Sequence, residues 1–160
     1  MISTKTSSSS GSSTEPGRWW PLLLPAAYLI HLAEEWWGGV GFAAWTANAV
    51  GRPVSETRFL VVNGIAAPVL TACTLLAVRS RSFRWFVVTF GTIVLVNGVL
   101  HLLGSLATAS YSPGVVSGSL LYLPLGALAL REGRTGERFG GAVALGLALH
   151  ALVAVIAFWR

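Results

Sequence analysis

The sequence predicts an all-α integral membrane protein, a compact bundle of about five transmembrane helices behind a disordered N-terminal tail. Three observations carry that prediction. Of the 160 residues, 54% are hydrophobic and only 11% are charged, less than half the charge of an ordinary soluble domain. Apolar runs recur between charged breaks, and several approach the roughly 20 residues needed to cross about 30 Å of hydrocarbon. Tryptophans stand at the ends of these runs, at positions 19, 20, 36, 37, 85 and 159. There an indole keeps its N–H among headgroups and its ring in lipid.

Residues 1–17 are rich in serine and hold nothing able to pack, so they are expected to form a disordered tail ahead of a membrane domain over 18–160. No compact basic segment leads into a short apolar stretch with a cleavage site, so the first helix is expected to double as the insertion signal. Five apolar segments follow, near Trp19 to Trp37, Phe59 to Val78, Trp85 to Leu106, Val115 to Leu130 and Phe139 to Trp159. The fourth is the shortest and contains Pro124, which predicts a tilted or re-entrant helix. Between the first two, Phe42 and Trp45 stand three residues apart, a spacing that suits a short helix lying in the interface. Pro53 and Ser55 then suit the start of the second long helix.

The net charge of +5 comes from ten arginines and one lysine placed mostly between the segments, where they act as topology signals. No basic run is interleaved with stacking aromatics, which argues against a nucleic-acid partner. Eight of the eleven (Lys5, Arg18, Arg79, Arg81, Arg84, Arg131, Arg134, Arg138) fall on one side of a five-crossing chain, and Arg52, Arg58 and Arg160 fall on the other. The expected orientation in a plasma (inner) membrane therefore has the N-terminus in the cytoplasm and the C-terminus outside. Cys73 is the sole cysteine, so no intramolecular disulfide forms, and its apolar surroundings suit an inert thiol.

Polar residues inside apolar segments point to function, because a charge at the bilayer centre costs on the order of 2.5 to 3.5 kcal/mol. All three histidines (His31, His101, His150) and two of the six acids (Glu34, Glu35) lie inside. His31, Glu34 and Glu35 stand at i, i+3 and i+4 and share one helix face; Asn97 and His101 stand at i and i+4 on another. At about 1.5 Å per residue, His31, Asn97 and His150 fall about 16 to 18 Å from the cytoplasmic helix ends, and Glu35 and His101 about 24 Å. Asn63 falls about 6 to 8 Å below the outer end of its own helix. One polar layer, somewhat outside the midplane, is expected. Tyr111-Ser-Pro113-Gly114 is turn chemistry on the outer side, suited to cap that layer.

Three motifs in order, His31-Leu-Ala-Glu34-Glu35, Asn97-Gly-Val-Leu-His101 and Tyr111-Ser-Pro113-Gly114, resemble those of the HxxEE family of membrane proteins. The resemblance spans most of the chain after the tail. It implies a motif set and names no reaction, since the family is one of unknown function.

Two adjacent carboxylates do not both stay ionised in low dielectric without a cation, and no lysine or arginine lies within an apolar segment. Protonated histidines can supply the charge. So can a divalent metal, for which His31, Glu34, Glu35, His101 and His150 are candidate ligands of zinc, iron or manganese. As interhelical glue, each such polar contact would contribute about 0.6 to 2 kcal/mol.

The leading expectation is a small intramembrane enzyme acting on a membrane lipid or other lipophilic molecule, by metal-assisted hydrolysis. His31, Glu34, Glu35, Asn97 and His101 would form its reaction centre, supported by Asn63, Tyr111, Pro113 and Gly114. Alternatives are a metal-free acid/base isomerase or cyclase of an isoprenoid-like lipid, a proton-coupled transporter, and a non-catalytic binding protein. No inverted repeat supports transport. Gly140, Gly141 and Gly146 permit the close packing of a homo-oligomer.

Overall fold

A computed structural model describes residues 19–159, every element of which is helical; the tail expected over 1–17 lies outside the described residues. Pro21 opens a short 3-10 turn, Trp20–Leu22, where its missing N–H costs nothing, and the chain continues directly into α1, Leu23–Trp37. α1 ends at Gly38, whose N–H still bonds the Glu34 carbonyl at 2.7 Å. Gly39 and Gly41 then take positive φ, turning the chain into α2, Phe42–Val50, the predicted short helix.

α2 stops at the left-handed Gly51, and Ser55 caps α3, Glu56–Arg79, by accepting from the Arg58 N–H. Glu56 in its first turn and Arg79 in its last complement the helix dipole. α4 is Trp85–Thr108. α5, Val115–Ser117, runs through a π turn, Gly118–Tyr122, into α6, Leu123–Gly133, and α7 is Phe139–Phe158.

α4 is the axis, with α6, α7, the π turn and α3 packed around it. Small residues set how close the neighbours come. A Cβ on Gly91 would lie 2.3 Å from Ala129 Cβ, one on Gly98 would lie 2.9 Å from the Gly118 carbonyl, and one on Gly146 would lie 2.7 Å from Thr92 Cβ. Leu24, Phe86, Phe90, Val94 and Tyr122 fill the core between α1, α4 and the π turn. Outward faces stay apolar: Ile65 and Val69 on α3 and Leu152 and Val155 on α7 are exposed.

Among the described residues three helices are long and apolar enough to cross a membrane: Glu56–Arg79, Arg81–Thr108 counting the turn that precedes α4, and Phe139–Phe158. The other two expected segments have a different form. The first is a 15-residue α-helix extended by the 3-10 turn. The fourth is interrupted by the π turn immediately before Leu123 and Pro124, because the proline lacks an N–H and its ring crowds the preceding turn.

The Trp20 indole donates to Glu132 Oε2 at 2.7 Å, tying the start of α1 to the end of α6, and Gly133 lies against Val88 near the start of α4. Arg79, Arg81, Arg84, Arg131, Arg134 and Arg138 therefore gather at one end of the bundle. At the opposite end Arg58 donates to the Trp159 carbonyl, joining the start of α3 to the end of α7.

Candidate metal centre

The three acid and imidazole groups of α1 share a face, as helical spacing requires, yet they divide between two neighbours. His31 and Glu35 turn toward His101 on α4. Glu35 Oε1 lies 3.1 Å from His101 Nε2 and 3.6 Å from His31 Nε2, and the two imidazoles meet edge to face with centroids 4.9 Å apart. All three are buried, at 3% exposure for His31, 8% for Glu35 and 4% for His101.

Glu34 instead faces the segment between α4 and α6. Its Oε1 accepts from the Tyr111 hydroxyl at 2.7 Å and the Val116 N–H at 2.9 Å. Its Oε2 accepts from the Ser117 N–H at 2.7 Å and the Ser117 hydroxyl at 2.5 Å. Four donors satisfy one carboxylate. Desolvation, and then the hydrogen bond to Glu34, push the Tyr111 phenol up to about 12, so it stays a donor throughout the neutral range.

This network fixes the tautomer of His31. Ser117 Oγ spends its only proton on Glu34, so at 2.8 Å it can only accept from His31 Nδ1–H. His31 Nε2 then carries a lone pair, aimed beside Glu35, and has no hydrogen-bond partner among the described residues. His101 differs: Ser112 Oγ lies 3.1 Å behind its Nδ1, but its Nε2 donates to Glu35 Oε1 at 3.1 Å. A buried imidazole with its rear N–H anchored and its front nitrogen bare is the arrangement of a metal ligand.

Gly114 makes the fit possible. It takes φ +99, and a Cβ there would lie 2.7 Å from His31 Cε1 and 2.8 Å from His101 Cε1. Pro113 and Gly114 thus press the turn onto both imidazoles, bringing Ser112 and Ser117 behind them.

A family model described as a protein of unknown function with HXXEE motif matches residues 22–129. The chain belongs to this HXXEE family. No curated protein and no solved structure matches it. The matched span of the HXXEE protein runs from the start of α1 into α6 and contains every side chain of the centre; α7 lies beyond it.

Among the described residues, His31, Glu35 and His101 form the group whose ligand atoms all lie within 4.8 Å of one another, and they can hold a metal ion. Donors at about 2.1 Å in a tetrahedral shell stand about 3.4 Å apart, which the 3.1 and 3.6 Å separations here bracket. Glu34 lies outside the group because its oxygens are engaged with Tyr111, Val116 and Ser117. His150, half-buried on α7, also lies outside it. Asn97 is a turn from His101, and its Oδ1 is buried and unpartnered.

Asn63 is elsewhere, accepting from the Tyr28 hydroxyl at 2.5 Å and donating to the Phe59 carbonyl at 2.9 Å. That pair joins α1 to α3. Sequence reasoning missed Ser112 and Ser117 as site residues, although Ser112 sits within the Tyr111 motif. Tyr122 stacks on His31 with centroids 4.2 Å apart, and its buried hydroxyl has no partner among the described residues. Phe42 closes the remaining side, its ring 5.3 Å from that of His101.

Proposed function

We propose that this HXXEE protein is a metal-dependent enzyme embedded in the membrane, hydrolysing a lipophilic substrate at a divalent ion held by His31, Glu35 and His101. The observation that carries the reading is the bare Nε2 of His31, held lone pair forward by the Glu34–Ser117 hydrogen bonds. An unpaired buried nitrogen is costly unless something binds it. Three protein ligands leave a further coordination position open. When bound, the ion supplies Lewis acidity and a water that deprotonates near neutral pH. Glu34 orients His31 and takes no direct part. The buried, unpaired Tyr122 hydroxyl, beside His31, can donate to substrate or water, whereas the buried, unpaired Oδ1 of Asn97, a turn from His101, can only accept.

The same reading has the chain cross the bilayer five times, N-terminus in the cytoplasm. Lengths support it: α1 with its leading turn is about 28 Å long, as is the run from α5 through α6, against about 30 Å of hydrocarbon. The clustering of six arginines at one end of the bundle supports the orientation. The centre then lies in the outer half of the membrane, reached by molecules already dissolved in lipid.

The test is metal analysis by mass spectrometry of protein purified without chelator, followed by turnover of long-chain esters and amides in detergent. Near-stoichiometric metal is expected. His31→Ala, Glu35→Gln and His101→Ala should lose it, whereas His150→Ala should keep it. A folded, metal-free wild type would overturn the metal centre and leave the 3.1 Å Glu35–His101 pair as a proton-transferring couple.

A further inference from the structure

The centre is buried except where Glu35, at 8% exposure, reaches its surroundings, so a substrate needs a way in. Beside it is a cleft of about 270 Å³ between the end of α1, α2 and the start of α3, lined among others by Glu35, Trp36, Phe42, Ala44, Glu56 and Phe59. That volume is just below the range of small-molecule pockets, about 300 to 1,000 Å³, and suits one hydrocarbon chain better than two. Its walls are mixed, polar at Glu35 and Glu56 and aromatic elsewhere, with rings in contact: Trp36 stacks on Phe59 at 5.7 Å, and Phe42 lies 6.4 Å from Phe59. Among the described residues, two acids line it and no lysine or arginine does. The neighbouring Arg58 is engaged with the Trp159 carbonyl. The cleft therefore disfavours an anionic headgroup.

Phe42 is the partition, because it lines the cleft on one side and packs against the His101 ring on the other. It is also the first residue of α2, a nine-residue helix set between backbone joints at Gly39, Gly41 and Gly51, all with positive φ. Trp45 latches α2 down: its ring fills the space beside Gly104, and its Nε1 donates to Ser110 Oγ at 3.2 Å.

Resting on the reading of the cluster as a reaction centre, we infer that this cleft admits a single-chain, uncharged amphiphile and that Phe42 is its gate. The polar end of such a molecule, a hydroxyl or an ester carbonyl, passes Phe42 toward His101 while the chain lies against Trp36 and Phe59. Opening requires only that the Phe42 ring rotate or that α2 lift about its glycine joints. Exposed Val40 and Val50 at the two ends of α2 are apolar surface from which the chain can enter.

The test uses the full-length protein in phosphatidylcholine vesicles and a long-chain alcohol bearing a diazirine near its hydroxyl, with crosslinks mapped by mass spectrometry. Saturable labelling of 35–44 and 56–59 is expected, displaced by the unlabelled alcohol and at least about tenfold weaker for the corresponding fatty-acid anion. Ala44→Trp, which fills the cleft, should abolish it, and Phe42→Ala should extend labelling to peptides containing His101. Labelling spread over the outward faces of α3 and α7 and unchanged by Ala44→Trp would overturn the proposal, as would equal labelling by the anion. Metal content read in the same samples separates the two readings. Metal retained without cleft labelling sinks the entrance alone, and cleft labelling without metal sinks the metal centre alone.

Discussion

Glu34 and Glu35 are neighbours in sequence and do opposite work. Two carboxylates one residue apart in low dielectric each need compensation, and each finds it from a different source. Glu34 has two hydroxyls and two backbone N–H groups, and Glu35 has the His101 imidazole at 3.1 Å. The link between them is Ser117, which relays the charge of Glu34 to the rear of His31. Ser117→Ala should therefore weaken metal binding by about 10- to 100-fold while leaving the three ligands in place. A chelator competition titration checks the affinity, and nitrogen-15 shifts of His31 report whether the Nδ1–H tautomer persists. Unchanged affinity together with an unchanged tautomer would show that Ser117 positions nothing. The spacing of His31, Glu34 and Glu35 made a shared face legible, but not which carboxylate would turn to the histidines, because both choices satisfy the same helical geometry.

At the scale of elements, α3, α4 and α7 were legible because unbroken apolar runs of that length permit little else. The π turn before α6 was not legible in detail: Pro124 signals an irregular helix without specifying its form. Small residues were readable as permission for close packing, and the structure sorts those that are used from those that are not. Gly98 meets the Gly118 backbone and Tyr122, whereas Gly140 has nothing within 4 Å of a built Cβ. Gly98→Val should cost about 1 to 3 kcal/mol by overpacking, and Gly140→Val should stay within about 0.5 kcal/mol. Denaturation in mixed detergent micelles measures both. A large cost at Gly140 would instead point to a contact between copies of the chain.

For the whole molecule, the testable property is how it threads the bilayer. In a Cys73→Ser background, single cysteines at exposed Asn48, Ser82 and Thr135 report the three interhelical regions that matter. With five crossings and a cytoplasmic N-terminus, an impermeant maleimide should reach Asn48→Cys on intact cells, and Ser82→Cys and Thr135→Cys only after permeabilisation. External labelling at Thr135 would mean that the run from α5 through α6 re-enters without crossing. Failure to label Asn48 from outside would remove α1 from the set of spans.

The sequence by itself determined the helical membrane-compatible class, the positions of the long apolar helices, the family and a wider candidate set of His31, Glu34, Glu35, His101 and His150. Each of these follows from local composition or from fixed spacing along a helix. Only the tertiary structure decided that Glu34 turns away from the His31, Glu35 and His101 group, that Asn63 pairs with Tyr28, and that Ser112, Ser117, Tyr122 and Phe42 pack around that group. Those assignments depend on how the segment from Tyr111 to Tyr122 folds back against α1 and α4, and on Gly114 allowing it to approach the imidazoles. Such contacts join residues up to 91 positions apart, as His31 and Tyr122 are, and no periodicity along the chain encodes which of them will meet.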